Sequence, residues 1–185
     1  MKHVKKAHRT RLATGGAIVA LGVAGVGAYS ASAGGERAAA PAAVTEAATV
    51  HTASADRLTI AAATKAARAA LDAAEAEHQR VTVAVVDRDG NTLVTLRGDG
   101  AGPQSYGSAE RKAFTAVAWN APTSVLAGRL DRAPNLKDIP GTLFLGGGTP
   151  VTAAGAPVAG IGVAGAPSGD LDEKFARAGV AALEK

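Results

Sequence analysis

The sequence predicts an α+β domain built on a single antiparallel sheet of about five strands, with helices on its faces. The periodic segments follow the order helix, two strands, two helices, three strands, helix, and their short connections favour antiparallel pairing. Only 3% of the residues are aromatic and none is cysteine. The core must therefore consist of small aliphatic side chains without disulfides, which favours a homo-oligomer whose subunits share buried surface.

The first 33 residues have the organisation of a secretory signal peptide. Basic residues within 2–11 precede an apolar stretch at 13–28 and an Ala-Ser-Ala cleavage motif at 31–33. We therefore expect an exported protein, extracellular or cell-wall associated, with a mature chain that starts near Gly34.

Removal of this segment changes the charge of the chain. The segment holds five of the 20 Lys and Arg residues and none of the 16 Asp and Glu residues, so the formal net charge falls from +4 to −1. A mature chain of that charge gives no electrostatic reason to bind nucleic acid, and we exclude nucleic acid as a partner.

Residues 34–56 form an Ala-rich segment without strong periodicity, which we interpret as a flexible arm containing His51. The folded domain is expected at 57–185. It begins with a helix capped by Thr59 that ends near residue 80. The runs 81–86 and 92–97, joined by an Asp-Gly turn, predict a β-hairpin.

The segment 105–120 predicts the central helix. One flank is expected to face the core: Tyr106, Ala109, Glu110, Ala113, Phe114, Ala116, Val117 and Asn120. The opposite flank combines the only tryptophan with cations and hydroxyls: Ser108, Arg111, Lys112, Thr115 and Trp119. This second flank indicates a contact with another subunit or a planar anionic ligand. The alternative is an ordinary amphipathic helix whose Trp119 covers a neighbouring loop.

The C-terminal third predicts a short helix from Pro122, three strands and a last helix. The strands are expected at 142–145, from residue 151, and at 157–163, with a tight glycine loop at 146–150. Ser168 is expected to cap the last helix, which should run to Leu183.

Two glycine motifs do not indicate nucleotide binding. The stretch 160–165 matches G-x-G-x-x-G, but too little chain follows for a dinucleotide fold. Its glycines instead allow close approach of a backbone or a flat ligand. The glycines at 146–148 lack the Lys and Ser/Thr of a phosphate loop, and no residue pattern supports a hydrolase.

The candidate metal ligands are few. His51 and His78 have no metal-binding spacing, although His51 in the arm could reach a ligand on another subunit. Asp170 and Glu173 either favour the dipole of the last helix or form a surface iron site, since carboxylates suit Fe³⁺.

Five motifs in order resemble the GlcG/HbpS family of haem-binding domains. They lie at 105–116, 119–123, 138–142, 147–151 and 160–165, within a resemblance that spans about 58–183. The resemblance implies profilin-like layering, a homo-octamer and binding of haem b and ferric iron. It also implies redox and oxidative-stress sensing with the extracellular region of a two-component sensor histidine kinase, and slow oxidative haem breakdown.

The resemblance also implies site residues. Thr142 matches the family's haem-binding threonine, and Asp170 with Glu173 matches one iron-binding pair. A second pair would need an acid at position 107 beside Glu110, but this chain has Gly107. Thr115 and His51 are the reserve haem contacts, and Arg111 is the candidate for a propionate.

The expected function is a secreted haem- and iron-binding accessory sensor. Two alternatives stay open: an enzyme that degrades haem oxidatively, and a binder of another small organic ligand. The sequence does not decide whether the protein is an enzyme.

Overall fold

The computed structural model describes residues 56–184, so the predicted signal peptide, nearly all of the arm, and His51 lie outside the described residues. This part of the chain contains four α-helices and four strands, in the order helix, two strands, two helices, two strands, helix. Their bounds are α1 Ile60–Ala76, β1 Thr82–Asp87, β2 Thr92–Arg97, α2 Pro103–Trp119, α3 Thr123–Ala127, β3 Gly148–Ala153, β4 Ala156–Ala164 and α4 Gly169–Ala181. Short 3₁₀ turns at Gly128–Asp131 and Pro134–Asp138 follow α3.

The four strands form one open sheet in the order β2-β1-β4-β3, and every neighbouring pair is antiparallel. This confirms the predicted α+β class. Within the described residues no helix has the length and apolar character needed to cross a membrane.

Helices α1 and α4 cover one face of the sheet. Six of their alanines and Phe175 are buried and pack with the buried Val83, Val85, Ile161 and Val163. The predicted caps are present, because Thr59 and Ser168 accept hydrogen bonds from the backbone N–H groups of Ala62 and Leu171. This face holds the main hydrophobic core.

Helix α2 covers the other face and lies unusually close to it. A Cβ atom at Gly160 or Gly162 would overlap the carbonyl oxygens of Ala113 and Ala109, respectively. The alternate glycines of β4 therefore allow the helix backbone to rest on the strand backbone, as their pattern predicts for close approach.

The predicted strand at 142–145 is absent, so the sheet has four strands. The backbone N–H of Thr142 donates to Ile139 O and that of Leu143 donates to the side chain of Thr115. Because a turn and a helix satisfy these groups, the segment has no ladder partner and forms a loop.

The predicted flanks of α2 also need correction. Lys112 and Thr115 are buried, whereas Tyr106 is 47% exposed. The helix is covered on two sides, by the sheet and by the loop after α3, and the second cover was not evident in the helical periodicity.

Trp119 packs within the chain. Its ring makes an edge-to-face contact with Phe144, with centroids 5.7 Å apart, and the Arg129 guanidinium lies 5.7 Å from the Trp119 ring centroid. This contact matches the alternative interpretation, in which Trp119 covers a neighbouring loop.

Candidate functional site

A cleft of about 210 Å³ opens beside α2, with the ring of Phe114 among its lining residues. Gly90 in the β1–β2 turn and Gly141 in the loop before β3 both lie against this ring. A Cβ at Gly90 would come within 3.1 Å of the Phe114 ring and one at Gly141 within 3.6 Å. The full lining is Val86, Gly90, Thr92, Glu110, Arg111, Phe114 and Gly141. The cleft thus has an aromatic surface, the ring of Phe114, between two glycines.

The rim of this cleft carries one anion and one cation. The Thr95 hydroxyl donates to Glu110 at 3.4 Å, which gives the half-buried carboxylate the partner that its predicted position required. Arg111 is exposed and donates from Nε to Gly107 O at 3.2 Å. Among the described residues its terminal amino groups have no recorded acceptor, so they remain available to an anionic group of a ligand.

Thr142 lies within the Gly141 loop, and Thr115 connects that loop to α2. Thr142 is 8% exposed, and its hydroxyl donates to Ile139 O at 2.7 Å. Thr115 is fully buried; its hydroxyl accepts from Leu143 N at 2.8 Å and donates to Arg111 O at 2.7 Å. Thr115 therefore cannot contact a ligand from this position, but it fixes the Thr142 loop to the helix turn that carries Arg111.

Asp170 and Glu173 line a separate cleft of about 340 Å³ at the start of α4. Asp170 is exposed, whereas Glu173 is buried and fully engaged. Its carboxylate accepts from the backbone N and hydroxyl of Ser124 at 3.0 and 2.8 Å, and from Arg177 at 2.5 Å. Glu173 thus holds the start of α3 against α4.

The haem-degrading HbpS-like family model matches residues 58–181. The chain belongs to the HbpS-like family. A crystal structure of HbpS is 78% identical, with a TM-score of 0.70, and the alignment covers 70% of this chain and 92% of that one. A double mutant of Streptomyces reticuli HbpS is 72% identical, with a TM-score of 0.70 and coverages of 78% and 97%.

A more distant structural neighbour is the crystal structure of a PduOC:haem complex. It is 27% identical to this chain, with a TM-score of 0.63, and the alignment covers 69% of this chain and 95% of that one. Among curated proteins, none matches this chain significantly. The resemblance read from the five sequence motifs is therefore confirmed at the level of the family.

The structure brings together some of the predicted site residues and separates others. Arg111, Glu110, Thr115 and Thr142 lie in or beside the Phe114 cleft, and Asp170 with Glu173 lies in the α4 cleft. No group of three His, Cys, Asp or Glu side chains in the described part of the chain could hold a metal ion.

Phe114 was not predicted to line a cleft, because helical periodicity placed it in the core. It is only half-buried. Gly90 and Gly141 leave the ring uncovered, but the sequence alone does not show that two glycines 51 residues apart lie against the same ring.

Proposed function

We propose that the chain binds haem at the Phe114 cleft. The observation that carries the proposal is a half-buried aromatic ring between Gly90 and Gly141 in a member of the HbpS-like family. At the rim, the terminal amino groups of Arg111 have no acceptor among the described residues. An apolar slot with few polar groups suits a flat, largely apolar ligand, and Arg111 is placed for a propionate. The haem complex of the PduOC neighbour supports the same cofactor.

The fit of the residues to haem is good for the ring and the propionate, and incomplete for the iron. None of the seven lining residues is His, Cys, Met or Tyr, the usual protein ligands of haem iron. Thr142 follows the lining residue Gly141, and its hydroxyl oxygen keeps acceptor capacity after donating to Ile139 O. We propose that the Thr142 hydroxyl would help to hold the haem through a hydrogen bond. His51 from the arm would be the alternative ligand of the iron.

The cleft also supports the proposal of a homo-oligomer. With about 210 Å³ of open space it covers only part of a haem, whereas ligand sites usually bury most of the ligand surface. A second subunit would supply the missing cover, which agrees with the proposed homo-octamer.

The proposed biological role is that of an exported accessory sensor. When bound, haem supplies a redox-active iron, and the proposed partner is the extracellular region of a sensor histidine kinase. The family description as haem-degrading supports the alternative of slow oxidative breakdown of haem. Spectra of the complex with peroxide over time distinguish the two: a stable Soret band favours sensing, and its progressive loss favours turnover.

A haem titration of the purified mature protein tests the site through the Soret band. We expect Phe114→Ala and Arg111→Gln each to weaken haem binding about tenfold, because a ring contact and a charged hydrogen bond are lost. Val125→Ala and Arg132→Gln, at exposed positions outside the cleft lining, serve as matched controls and should bind as wild type. Wild-type affinity in both cleft variants would overturn the proposed site.

Four further variants assign the remaining residues. Thr142→Ala tests the hydrogen bond to the haem, and His51→Ala tests the axial ligand through the loss of a low-spin spectrum. Thr115→Ser should bind normally, because it keeps the hydroxyl, whereas Thr115→Val should weaken binding by releasing the Thr142 loop. If both Thr115 variants bind haem like wild type, the hydrogen bond between Thr115 and Leu143 N does not contribute to haem binding.

Ferric iron at Asp170 and Glu173 is the second proposal. The two side chains line one cleft, which favours an iron site there. Against it, the Glu173 carboxylate already accepts hydrogen bonds from Ser124 and Arg177. Asp170→Asn should lower the iron retained after desalting without changing haem affinity. Equal retention in the variant and the wild type would refute the site.

A further inference from the structure

A third cleft, with a volume of about 210 Å³, lies beside the N-terminal half of α2 and has a buried ion pair in its wall. It is lined by Gln104, Ser105, Ser108, Lys112, Leu145, Ala164, Gly165, Ala166 and Asp172. Lys112 and Asp172 are 2% and 3% exposed, and the ammonium lies 2.8 Å from the carboxylate. The pair is therefore a built feature of the interior that faces an open cleft.

The structure makes room for this pair at one glycine. The Lys112 side chain reaches from α2 past the start of β3 to Asp172 in the first turn of α4. Gly147 lies beside it with a φ of 128°, and a Cβ there would come within 2.7 Å of the Lys112 Nζ and 2.8 Å of the Asp172 Cβ. The glycine loop at 146–148 thus serves the ion pair rather than a phosphate.

The Lys112 ammonium has one donor left. It donates to Asp172 Oδ2 and to Val163 O at 3.1 Å, and its third N–H has no acceptor among residues 56–184. The half-buried Ser108, one helical turn before Lys112, likewise has no recorded side-chain partner in this range. The Lys112 ammonium and the Ser108 hydroxyl therefore each have a donor in the cleft wall without an acceptor among the described residues.

We propose that this cleft binds the carboxylate of a small organic acid. A carboxylate is an acceptor-only group and matches an ammonium N–H together with a hydroxyl. Leu145, Ala164 and Ala166 offer apolar contacts to a short carbon chain. The volume is below the range of drug-sized ligand pockets and the lining has no aromatic ring, so we expect a ligand with only a few heavy atoms. The proposal does not depend on haem binding at the Phe114 cleft.

Asp172 sets the charge balance of the site. Burial raises the pKa of the Asp172 carboxyl, although Lys112 and the Ala166 and Gly165 amides act in the opposite direction. An entering carboxylate adds a second anion beside a single cation. The ligand carboxylate and the Asp172 carboxylate would therefore share the Lys112 ammonium.

Equilibrium dialysis with radiolabelled lactate tests the proposal on the mature protein, with unlabelled lactamide as the neutral competitor. Lactamide has the same shape but lacks the charge, so it should compete at least tenfold more weakly than unlabelled lactate. Ser108→Ala should weaken lactate binding severalfold. The double variant Lys112→Met with Asp172→Leu replaces the pair by apolar side chains, which buried ion pairs often tolerate, and should bind no lactate.

Lys65→Met is the matched control, since Lys65 is exposed on α1 and lines none of the clefts described above. It should bind lactate as wild type does. Saturable lactate binding that the folded double variant loses and the control keeps supports the site. Absence of saturable binding, equal binding in the double variant, or equal competition by lactamide would each overturn the proposal. Haem titration of the same double variant separates this result from the proposed haem site.

Discussion

The two faces of the sheet are packed in different ways. On the α1 and α4 face, Val83, Val85, Ile161 and Val163 interlock with alanines and Phe175. On the α2 face, Gly160 and Gly162 place two backbones in contact and leave little room for side chains. The long side chains of α2 therefore project to its flanks, where Phe114 and Lys112 line the two clefts. The first face holds the main hydrophobic core, and the second carries the two clefts that we propose as binding sites.

The largest expected effect comes from adding one methyl group at the close contact. Gly162→Ala should lower the free energy of unfolding by more than about 4 kcal/mol or prevent folding, because the Cβ overlaps the Ala109 carbonyl. Gly107→Ala is the matched control within α2, since a Cβ there meets no atom within 4 Å. It should be stabilising by about 0.5–1 kcal/mol. Urea unfolding measures both, and similar values would contradict the close packing.

Breaking the buried ion pair should have the next largest effect. Lys112→Met leaves Asp172 without its cation and should cost about 3–5 kcal/mol, whereas the double variant with Asp172→Leu should recover most of that loss. Urea unfolding of the four proteins in this cycle gives the coupling energy. A double variant as unstable as the single one would show that the pair is needed for more than its own charges.

Much of the fold could be predicted from the sequence because it depends on local signals. Thr59 and Ser168 cap helices, and the alternate glycines of β4 accept a close backbone. The loop at 142–145 was mistaken for a strand because an apolar run does not reveal that Thr115, 28 residues earlier, satisfies its backbone.

The candidate sites were harder to predict, since they are formed by residues far apart in the chain. Lys112 was expected on the flank opposite the core, in contact with another subunit or a ligand, but Asp172, 60 residues later, and Gly147 permit its burial within the chain. Phe114 was expected in the core, but Gly90 and Gly141 leave its ring at a cleft. Glycines at a distance in sequence decide both cases, and helical periodicity carries no information about them.

A smaller effect should distinguish the two acidic residues at the start of α4. Glu173→Ala should cost about 1–3 kcal/mol of unfolding free energy, because the half-buried Ser124 loses the acceptor of its N–H and hydroxyl. Asp170→Ala, at an exposed position, should change stability by about 0.5 kcal/mol or less. If the two variants unfold at the same urea concentration, Glu173 does not anchor α3 as the contacts indicate.

The smallest effect concerns the turn that carries Gly90 beside the Phe114 ring. Burial alone would raise the pKa of the Asp87 carboxyl, but the N–H groups of Asn91 and Asp89 outweigh it and hold the pKa below the ordinary 3.8. A lowered folded pKa means that the unfolded chain binds the proton more readily. The resulting stability is present above about pH 4 and is lost as the pH falls through the folded value.

Asp87→Asn tests this pH dependence, because it keeps the shape of the side chain and removes its charge. At neutral pH the variant should be about 1 kcal/mol less stable than wild type, and the difference should shrink below pH 4 as Asp87 itself is protonated. Urea midpoints from pH 7 to pH 2.5 measure the difference. A constant gap across that range would mean that the charge contributes nothing and that only the geometry of the turn matters. A shrinking gap would show that the charge of Asp87 stabilises the turn that places Gly90 against Phe114, at the edge of the proposed haem cleft.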